Sequence, residues 1–247
     1  VMAVVNLTPN SFSDGGRLKD ADSAERRIEE LIAAGAEIID IGAESTRPLA
    51  ELLDAETEWA RLSAVMAALL RRPPPAVLSI DTRNAETGRR AAEHGFALLN
   101  LTFPHHLLSP PAELASSAQP GFTPRGLTAT EVAELFRRFD GIVLMHSRGT
   151  PKTMRELTDY GRDLCKTVAT ELARTAAELV GDDPVLSGRL LFDPGLGFAK
   201  TPEQSLALLG RLAELWPALD RPLLVGASRK SLLGAATGLP IAERMIP

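Results

Sequence analysis

The sequence is poor in cysteine and in aromatic residues. Its 247 residues include a single cysteine, Cys165, and aromatic side chains make up only 4% of the chain. One cysteine cannot form an intramolecular disulfide bond, and it cannot build a zinc site made of cysteines. We therefore expect the chain to work in a reducing, cytoplasmic setting.

Long apolar runs and an excess of positive charge are also lacking. No apolar run approaches the roughly 18 residues of a membrane span, and we expect no signal peptide. The formal net charge of -5 argues against broad binding of nucleic acids or membrane surfaces, although it leaves room for a local basic pocket. Apolar residues make up 45% of the chain, which is enough for a sizeable core.

Short apolar segments alternate with amphipathic helical segments along the chain. The predicted strands are residues 1–5, 38–41, 77–80, 97–99, 142–145, 190–192 and 222–225. Three of the helix starts have the spacing of a capping box: Asp22 with Glu25, Thr128 with Glu131, and Thr201 with Gln204. Wholly apolar strands separated by amphipathic helices are typical of a parallel sheet that is covered by helices.

Seven such units in one chain favour a closed barrel over an open doubly wound sheet. We predict an α/β fold of the TIM (β/α)8 type, with one domain over residues 1–247 and an irregular, insertion-like loop at 101–126. No eighth strand precedes Pro247. Because a seven-stranded parallel barrel would leave an open edge, we expect the eighth β/α unit to be missing from this chain.

A polar side chain stands at or just after the end of every predicted strand. In chain order they are Asn6, Glu44, Asp81, Asn100, His146, Asp193 and the Ser228-Arg229-Lys230 triplet. In a (β/α) barrel the active site lies at this end of the strands. Each of these residues alone could be a loop cap or a structural polar group, but seven positions on one rim indicate a ligand site.

The chemistry of these groups is coherent. Asp81 and Asp193 follow apolar runs, and a carboxylate in an apolar pocket either becomes neutral or pairs with N–H donors and a cation. Together with the carboxamide of Asn100, they suit a planar heterocycle that is rich in amino and ring N–H groups. Arg229 and Lys230 stand at the start of a helix, where they can hold an anion or an electron-rich ring oxygen.

Five motifs resemble those of the dihydropteroate synthase family. They are NLTPNSFSDGG at 6–16, ESTRP at 44–48, SIDT at 79–82, DPGLGFAK at 193–200 and SRKS at 228–231. The resemblance runs from Val1 to Met245 in the family's order and implies a pterin-binding (β/α) barrel. The family is one of transferases in folate biosynthesis. It joins 6-hydroxymethyl-7,8-dihydropterin diphosphate to 4-aminobenzoate, which gives 7,8-dihydropteroate and diphosphate.

The resemblance also implies roles for individual residues. The pterin would be bound by Asp81, Asn100, Asp193 and Lys230, with Met145 packing on the ring. Thr46 and Arg47 would contact the substrates, and the aminobenzoate would be framed by Phe12, Pro48, Phe198 and Ser231. Asn6 would help to bind the Mg²⁺ ion that carries the diphosphate. Asp14 would lie near a developing pterin cation, which makes Asp14, Arg47 and Lys230 the implied catalytic residues. The resemblance also implies a homodimer that forms through the late helices. These helices contain Leu206, Leu209, Ala213 and Trp216.

The sequence departs from the family pattern at several points. Asn10 stands where the family usually has aspartate, and Asn100 is followed by LTFPHH where the family has a segment like Asp-Val-Ser-Gly. We expect His105 and His106 to point apart in an extended loop, which favours a loop role over metal binding. The family's eighth-strand Arg-x-His motif is not found in the chain.

Two other functions stay open. One is a folate-dependent methyltransferase domain, which shares the barrel and transfers a methyl group to a corrinoid, but the first-loop motif and the Ser228-Arg229-Lys230 triplet argue against it. The other is a catalytically impaired pterin-binding homologue, which the altered segment after Asn100 and the missing last unit favour.

Overall fold

The computed structural model describes residues 1–8, 21–46, 50–113 and 125–244. The predicted site residues Phe12, Asp14, Arg47 and Pro48 lie outside these ranges, so their roles stay predictions. By its internal contacts the chain divides into two compact units. The first consists of Val1–Thr46, Glu51–Leu101 and His105–Ile142, and the second of Arg47–Ala50, Thr102–Pro104 and Val143–Pro247.

The strands form a parallel sheet that follows the order of the chain. They are β1 (Met2–Asn6), β2 (Ile38–Gly42), β3 (Val77–Asp81), β4 (Leu98–Leu101), β5 (Gly141–Met145) and β6 (Leu190–Asp193). Parallel pairing requires that each strand be followed by a crossover connection, which brings the chain back to the end of the sheet where the strands begin. The α/β class and the predicted parallel sheet are confirmed.

Helices occupy most of the connections. They are α1 (Ala21–Ala33), α2 (Ala55–Arg71), α3 (Ala85–Glu93), α4 (Ala129–Phe136), α5 (Leu164–Val180), α6 (Pro184–Gly188), α7 (Pro202–Gly210), α8 (Trp216–Leu219) and α9 (Ser231–Thr237). Short 3-10 helices span Pro104–Leu107, Met154–Glu156, Leu212–Glu214 and Ile241–Glu243. Over the described ranges, none of the helices is both long and apolar enough to cross a membrane.

Apolar side chains fill the interior of each unit. In the first unit the fully buried ones include Ile39, Ile41, Leu62, Met66, Ile80 and Leu99. In the second unit they include Leu172, Leu186, Leu196, Leu208, Leu215 and Leu232. Ile39, Ile41, Ile80 and Leu99 lie in the predicted apolar strands, and their burial holds the polar ends of those strands in place.

The strand register of the first unit aligns the polar strand ends. Asn6 pairs with Gly42, Gly42 pairs with Asp81, and Asp81 pairs with Asn100. Gly42 allows this close approach, because a Cβ atom at that position would lie 3.2 Å from the Cβ of Asp81. The carboxyl ends of β1 to β4 therefore meet at one edge of the sheet.

The predicted seventh strand, residues 222–225, is reduced to a single parallel bridge between Leu223 and Phe192. The amide of Phe192 donates to the carbonyl of Pro222 at 2.9 Å, and the amide of Leu224 donates to the carbonyl of Phe192 at 2.8 Å. Proline has no N–H to offer, so the ladder has no donor at Pro222. The predicted strand therefore has the right position, but it is longer than the single bridge that the structure contains.

The predicted irregular loop after β4 is partly helical. Leu101 belongs to β4, and Pro104–Leu107 forms a 3-10 helix. The side chains of Phe103 and Leu107 are buried. Their burial explains why this segment carries large apolar residues without a regular period, since each side chain fills a separate part of the interior.

Two of the three predicted capping boxes are present. At Thr128 and at Thr201 the side chain accepts from the third helical amide, and the side chain of Glu131 or Gln204 accepts from the cap amide. Asp22 instead lies inside the first turn of α1, which begins at Ala21. The capping box that we expected at Asp22 is therefore wrong, although an acidic residue still suits the positive end of the helix dipole there.

The cap at Thr201 gives a direct test of the fold. Replacing Thr201 by alanine removes the acceptor for the Gln204 amide, which lies 3.2 Å away, and should lower the free energy of unfolding by about 1 kcal/mol. Urea unfolding followed by circular dichroism measures this loss. Thr170→Ala, at an exposed position inside α5, should change stability by less than about 0.5 kcal/mol; equal losses in the two variants would contradict the capping role.

Candidate active site

Three predicted ligand-binding residues share the carboxyl edge of the sheet in the first unit. Asn6 ends β1 and is exposed, whereas Asp81 and Asn100 end β3 and β4 and are half-buried. The amide of Thr82 donates to the carbonyl of Asn100 at 3.1 Å, which extends the ladder past the strand ends. Thr46, at the start of the loop after β2, is also half-buried. Their exposure leaves these side chains accessible to a ligand.

A buried aspartate that the sequence analysis missed orients Asn100. Asp40 lies in the middle of β2 and is only 3% exposed. Its carboxylate accepts from the Ser79 hydroxyl at 2.6 Å and from the Asn100 Nδ2 at 3.0 Å. Because a carboxylate only accepts, the Asn100 amide must turn its nitrogen toward Asp40 and its oxygen away. The available signal was an acidic residue that interrupts the apolar run of β2.

Glu44, which we predicted to lie at the rim, holds the loop that follows β2. Its carboxylate forms a buried ion pair with Arg83, with 2.9 Å between Oε2 and Nε. It also accepts from the amide of Leu53 at 2.6 Å, and the Arg83 guanidinium donates to the carbonyl of Leu53. Both ends of the loop, at 44 and 53, are thus fixed by one ion pair. Arg83 was not predicted as a functional residue.

A second buried carboxylate, Glu58 of α2, lies beside this ion pair in the hydrogen-bond network. Its Oε2 accepts from the hydroxyls of Thr82 and Thr87 at 2.8 and 2.6 Å and from the Asn84 amide at 2.9 Å. Within the described residues, its Oε1 has no hydrogen-bond partner. Burial raises the pKa of Glu58 to about 7, and the three donors only partly oppose this effect.

The raised pKa of Glu58 makes stability depend on pH. The folded chain holds this proton more tightly than the unfolded chain, so the stabilisation is complete below the unfolded pKa of 4.5 and is lost as the pH rises through about 7. Urea unfolding across this range should show the free energy of unfolding falling with pH. Glu58→Gln should flatten the slope, and the exposed control Glu134→Gln should not; an unchanged slope in Glu58→Gln would contradict the assignment.

In the second unit, Asp193 ends β6 and is 8% exposed. Its Oδ1 accepts from the Gly195 amide at 2.7 Å, and its carbonyl accepts from the His146 amide at 2.8 Å. Gly195 has a φ of +66°, and a Cβ there would lie 1.9 Å from the His146 carbonyl oxygen, so only glycine fits. The turn therefore engages one carboxylate oxygen of Asp193 through its own backbone.

Lys230 supplies positive charge to the same part of the second unit. Its Nζ donates to the carbonyl of Leu196 at 2.6 Å and lies 4.9 Å from the ring centre of Phe198. Burial raises the pKa of Asp193, and the charge of Lys230 opposes that rise; burial lowers the pKa of Lys230, and the charge of Asp193 opposes that fall. Each group therefore favours the ionised form of the other.

The remaining predicted residues of this unit have different surroundings. Met145 ends β5 and is buried, and Phe198 is half-buried with its ring edge-to-face on Phe103 at a centroid distance of 6.0 Å. Ser231 opens α9 and is exposed. The structure thus gathers Asp193, Phe198 and Lys230 around the turn after β6.

His146 does not stay on the rim as predicted but turns into the interior. It is 3% exposed, and its Nε2 lies 2.9 Å from the Oε2 of Glu171. Burial lowers the pKa of His146 to about 4, so the ring is neutral at neutral pH. Lys200 contacts the other ring nitrogen at 2.8 Å. Neither Glu171 nor Lys200 was predicted, although Lys200 ends the DPGLGFAK motif.

The two adjacent histidines do not point apart. His105 and His106 lie in the 3-10 helix after β4, where their rings meet edge-to-face with 4.4 Å between centres. The helical turn brings neighbouring side chains closer than the predicted extended segment would, which corrects that expectation. In the described part of the chain, histidine, cysteine and acidic side chains form no group of three that could hold a metal ion.

Comparison with known proteins agrees with the fold. The family model for pterin binding enzymes matches residues 2–246. The dihydropteroate synthase of Synechocystis sp. is 37% identical over 244 residues, which cover 97% of this chain and 75% of that protein.

Solved structures show the same similarity. The Xanthomonas albilineans dihydropteroate synthase with 4-aminobenzoic acid has a TM-score of 0.75 and 33% identity, over 99% of this chain and 78% of that one. The Anaplasma phagocytophilum enzyme with bound 6-hydroxymethylpterin-monophosphate has a TM-score of 0.76 and 28% identity, over 100% and 84% of the two chains. The likeness to such structures confirms the TIM-barrel type of fold. The chain belongs to the dihydropteroate synthase family of pterin-binding enzymes.

Proposed function

We propose that this chain is a dihydropteroate synthase. It transfers the pterin-methyl group of 6-hydroxymethyl-7,8-dihydropterin diphosphate to the amine of 4-aminobenzoate and releases diphosphate. The observation that carries the proposal is that the buried Asp193 carboxylate and the half-buried Lys230 ammonium group both lie at the turn after β6, each within a motif of the family. The pterin and aminobenzoate ligands of the solved relatives support the same choice of substrates.

Two carboxylates recognise the pterin in this proposal. Asp81 and Asp193 accept hydrogen bonds from the amino and ring N–H groups of the heterocycle, and the orientation of Asn100 by Asp40 presents an amide oxygen as a further acceptor. Lys230 donates to the electron-rich side of the ring, and Met145 packs against its face. Asn100, Asp193 and Lys230 are already held by hydrogen bonds within the protein, which reduces the entropy lost on binding.

The same charges suit a dissociative reaction. The bond between the pterin methylene carbon and the diphosphate oxygen breaks first and leaves a pterin cation. The amine nitrogen of 4-aminobenzoate then attacks that carbon and loses a proton. In this proposal carboxylates stabilise the cation, and Asp14 of the 6–16 motif is one of them; Arg47 stabilises the departing anion. Thr46 contacts the substrates, and Phe12, Pro48, Phe198 and Ser231 frame the aminobenzoate.

Mg²⁺ is the metal ion that we propose for the diphosphate. Asn6 ends β1 with an exposed carboxamide, and an uncharged oxygen of this kind suits an ion that is held by few protein ligands together with substrate phosphates and water. The residues present therefore fit the ion, with Asn6 as its protein ligand. When bound, Mg²⁺ would neutralise charge on the leaving diphosphate.

We further propose a homodimer and a cytoplasmic location. The late helices of the second unit expose apolar side chains, with Leu206 and Trp216 respectively 42% and 51% exposed. Ala213 is also exposed and Leu209 is half-buried. Burying such side chains against a second copy would remove apolar surface from water. The free thiol of Cys165 is consistent with a reducing compartment.

Diphosphate release tests the proposed function. We expect the chain, supplied with Mg²⁺, the pterin diphosphate and 4-aminobenzoate, to release diphosphate and to form dihydropteroate in equal amount. Calorimetry with the pterin diphosphate alone should show binding. Binding without any diphosphate release would indicate an impaired homologue, and methyl transfer from a folate to a corrinoid would indicate the methyltransferase; either result contradicts the proposal.

Lys230→Ala tests the pterin contact. Loss of the ammonium group removes the proposed donor to the pterin and one of the two lysine charges that act on Asp193. We expect pterin affinity to fall at least about tenfold, because hydrogen bonds to charged groups contribute about 1.5–3 kcal/mol. Calorimetry measures the change. Lys152→Ala, at an exposed position of the same unit, is the matched control, and equal affinity in the two variants would remove Lys230 from the site.

A further inference from the structure

Lys200 is a buried cation to which the proposed mechanism gives no role. It is 7% exposed, and its Nζ has three hydrogen-bond partners. These are the His146 Nδ1 at 2.8 Å, the Gly195 carbonyl at 3.1 Å and the Phe198 carbonyl at 3.2 Å. An ammonium group has three N–H donors, so the three acceptors use all of them.

The imidazole of His146 links Lys200 to an ion pair. Because its Nδ1 accepts from Lys200, the neutral ring carries its proton on Nε2 and donates it to Glu171 at 2.9 Å. Glu171 also accepts from the Nε of Arg148 at 2.9 Å. The chain Lys200–His146–Glu171–Arg148 therefore has a defined direction for each hydrogen bond, and it fixes the position of the Lys200 ammonium group.

The backbone that Lys200 holds is under strain. Ala199 has a φ of +49°, which is unfavourable for a residue with a side chain, and it is buried. Its carbonyl accepts from the Tyr160 hydroxyl at 3.0 Å. Residues in such conformations persist only where the surroundings fix them. Here the surroundings are Tyr160 and the two carbonyl contacts of Lys200 on either side of the turn.

The same turn carries two residues of the candidate site. The amide of Phe198 donates to the Gly195 carbonyl at 3.0 Å, and the Gly195 amide donates to Asp193 at 2.7 Å. A shift of the Gly195 or Phe198 backbone would therefore move the Asp193 carboxylate and the Phe198 ring. Lys200 donates to the carbonyls at both ends of this segment, so the position of its ammonium group affects the conformation of the whole segment.

We infer that Lys200 is a positioning residue for pterin binding. Its ammonium group, placed by His146 and Glu171, holds the turn from Gly195 to Phe198 in the shape that directs Asp193 and Phe198 toward the ligand. The inference rests on the proposed function, since it gives Lys200 a role in binding the pterin that this function requires. It adds a residue that acts through the backbone without touching the substrate.

Lys200→Met is the variant that separates positioning from packing. Methionine fills a similar volume but offers no donor to the Gly195 and Phe198 carbonyls and no charge near Asp193, so the turn loses its fixed shape. Lys200→Arg keeps the charge and the donors and should restore part of the function. Leu186→Ala is the control for stability, because it opens a cavity in α6, before β6, whereas the turn follows that strand.

Calorimetry with 6-hydroxymethyl-7,8-dihydropterin diphosphate and Mg²⁺ measures binding, and urea unfolding measures stability. Both are done on the full chain below pH 7, since burial lowers the pKa of Lys200 to about 7. We expect Lys200→Met to bind the pterin at least about tenfold more weakly, from the loss of charged hydrogen bonds. Lys200→Arg should bind with intermediate affinity, and Leu186→Ala should lose stability but keep wild-type affinity.

Nitrogen NMR of the four histidines provides a readout that needs no ligand. In the wild-type chain the His146 ring should show the Nε2–H tautomer, and this signal should shift in Lys200→Met. A wild-type His146 with its proton on Nδ1 would overturn the inference. So would pterin affinity that falls equally in Leu186→Ala and Lys200→Met, or not at all in Lys200→Met. A wild-type chain that binds no pterin would overturn the proposed function, and the positioning role with it.

Discussion

A carboxylate that leaves water must gain hydrogen-bond donors or a nearby cation, and this constraint shapes both units of the chain. Asp40, Glu44 and Asp193 are each less than a tenth exposed, and each accepts from at least one donor that the fold holds in place. The donors come from neighbouring strands, from loop amides and from cations. The polar groups therefore have fixed positions before any ligand arrives, which is the condition for binding a cation-like transition state well.

The two units meet this constraint in different ways. In the first, Arg83 pairs with Glu44 and ties the loop after β2 at both ends, while Glu58 remains without a cation and takes up a proton readily. In the second, Asp193 is influenced by two lysines, Lys230 and Lys200, and both oppose the rise of its pKa that burial causes. The first solution fixes a loop, whereas the second places two positive charges where they favour the ionised form of a buried carboxylate.

Much of this arrangement could be predicted from local sequence. The strand ends at Asn6, Asp81 and Asp193 follow from apolar runs that stop at a polar residue, and the cap at Thr201 follows from its spacing to Gln204. Such features depend on residues close in the chain. The error at Asp22 is also local, because an acidic residue in a first turn and one at a cap look the same in sequence.

The partners of the buried groups could not be predicted, because they are distant in the chain. Lys200 meets His146 across 54 positions, and Arg83 meets Glu44 across 39. In the sequence, each looks like an ordinary charged residue after a strand. The register of parallel strands and the shape of the turns decide which of them meet, and single-sequence periodicity does not specify either. His146 faces the interior because Glu171 and Lys200, which are distant from it in the chain, provide hydrogen-bond partners for both of its ring nitrogens.

A crystal structure of this chain with a bound dihydropterin tests the central claim most directly. The account predicts that the heterocycle donates its amino and ring N–H groups to the carboxylates of Asp81 and Asp193. It also predicts that the Lys230 ammonium group contacts the ring and that the turn from Gly195 to Phe198 keeps its shape. A pterin bound elsewhere, with the Asp193 carboxylate contacting only the Gly195 amide, would contradict the account.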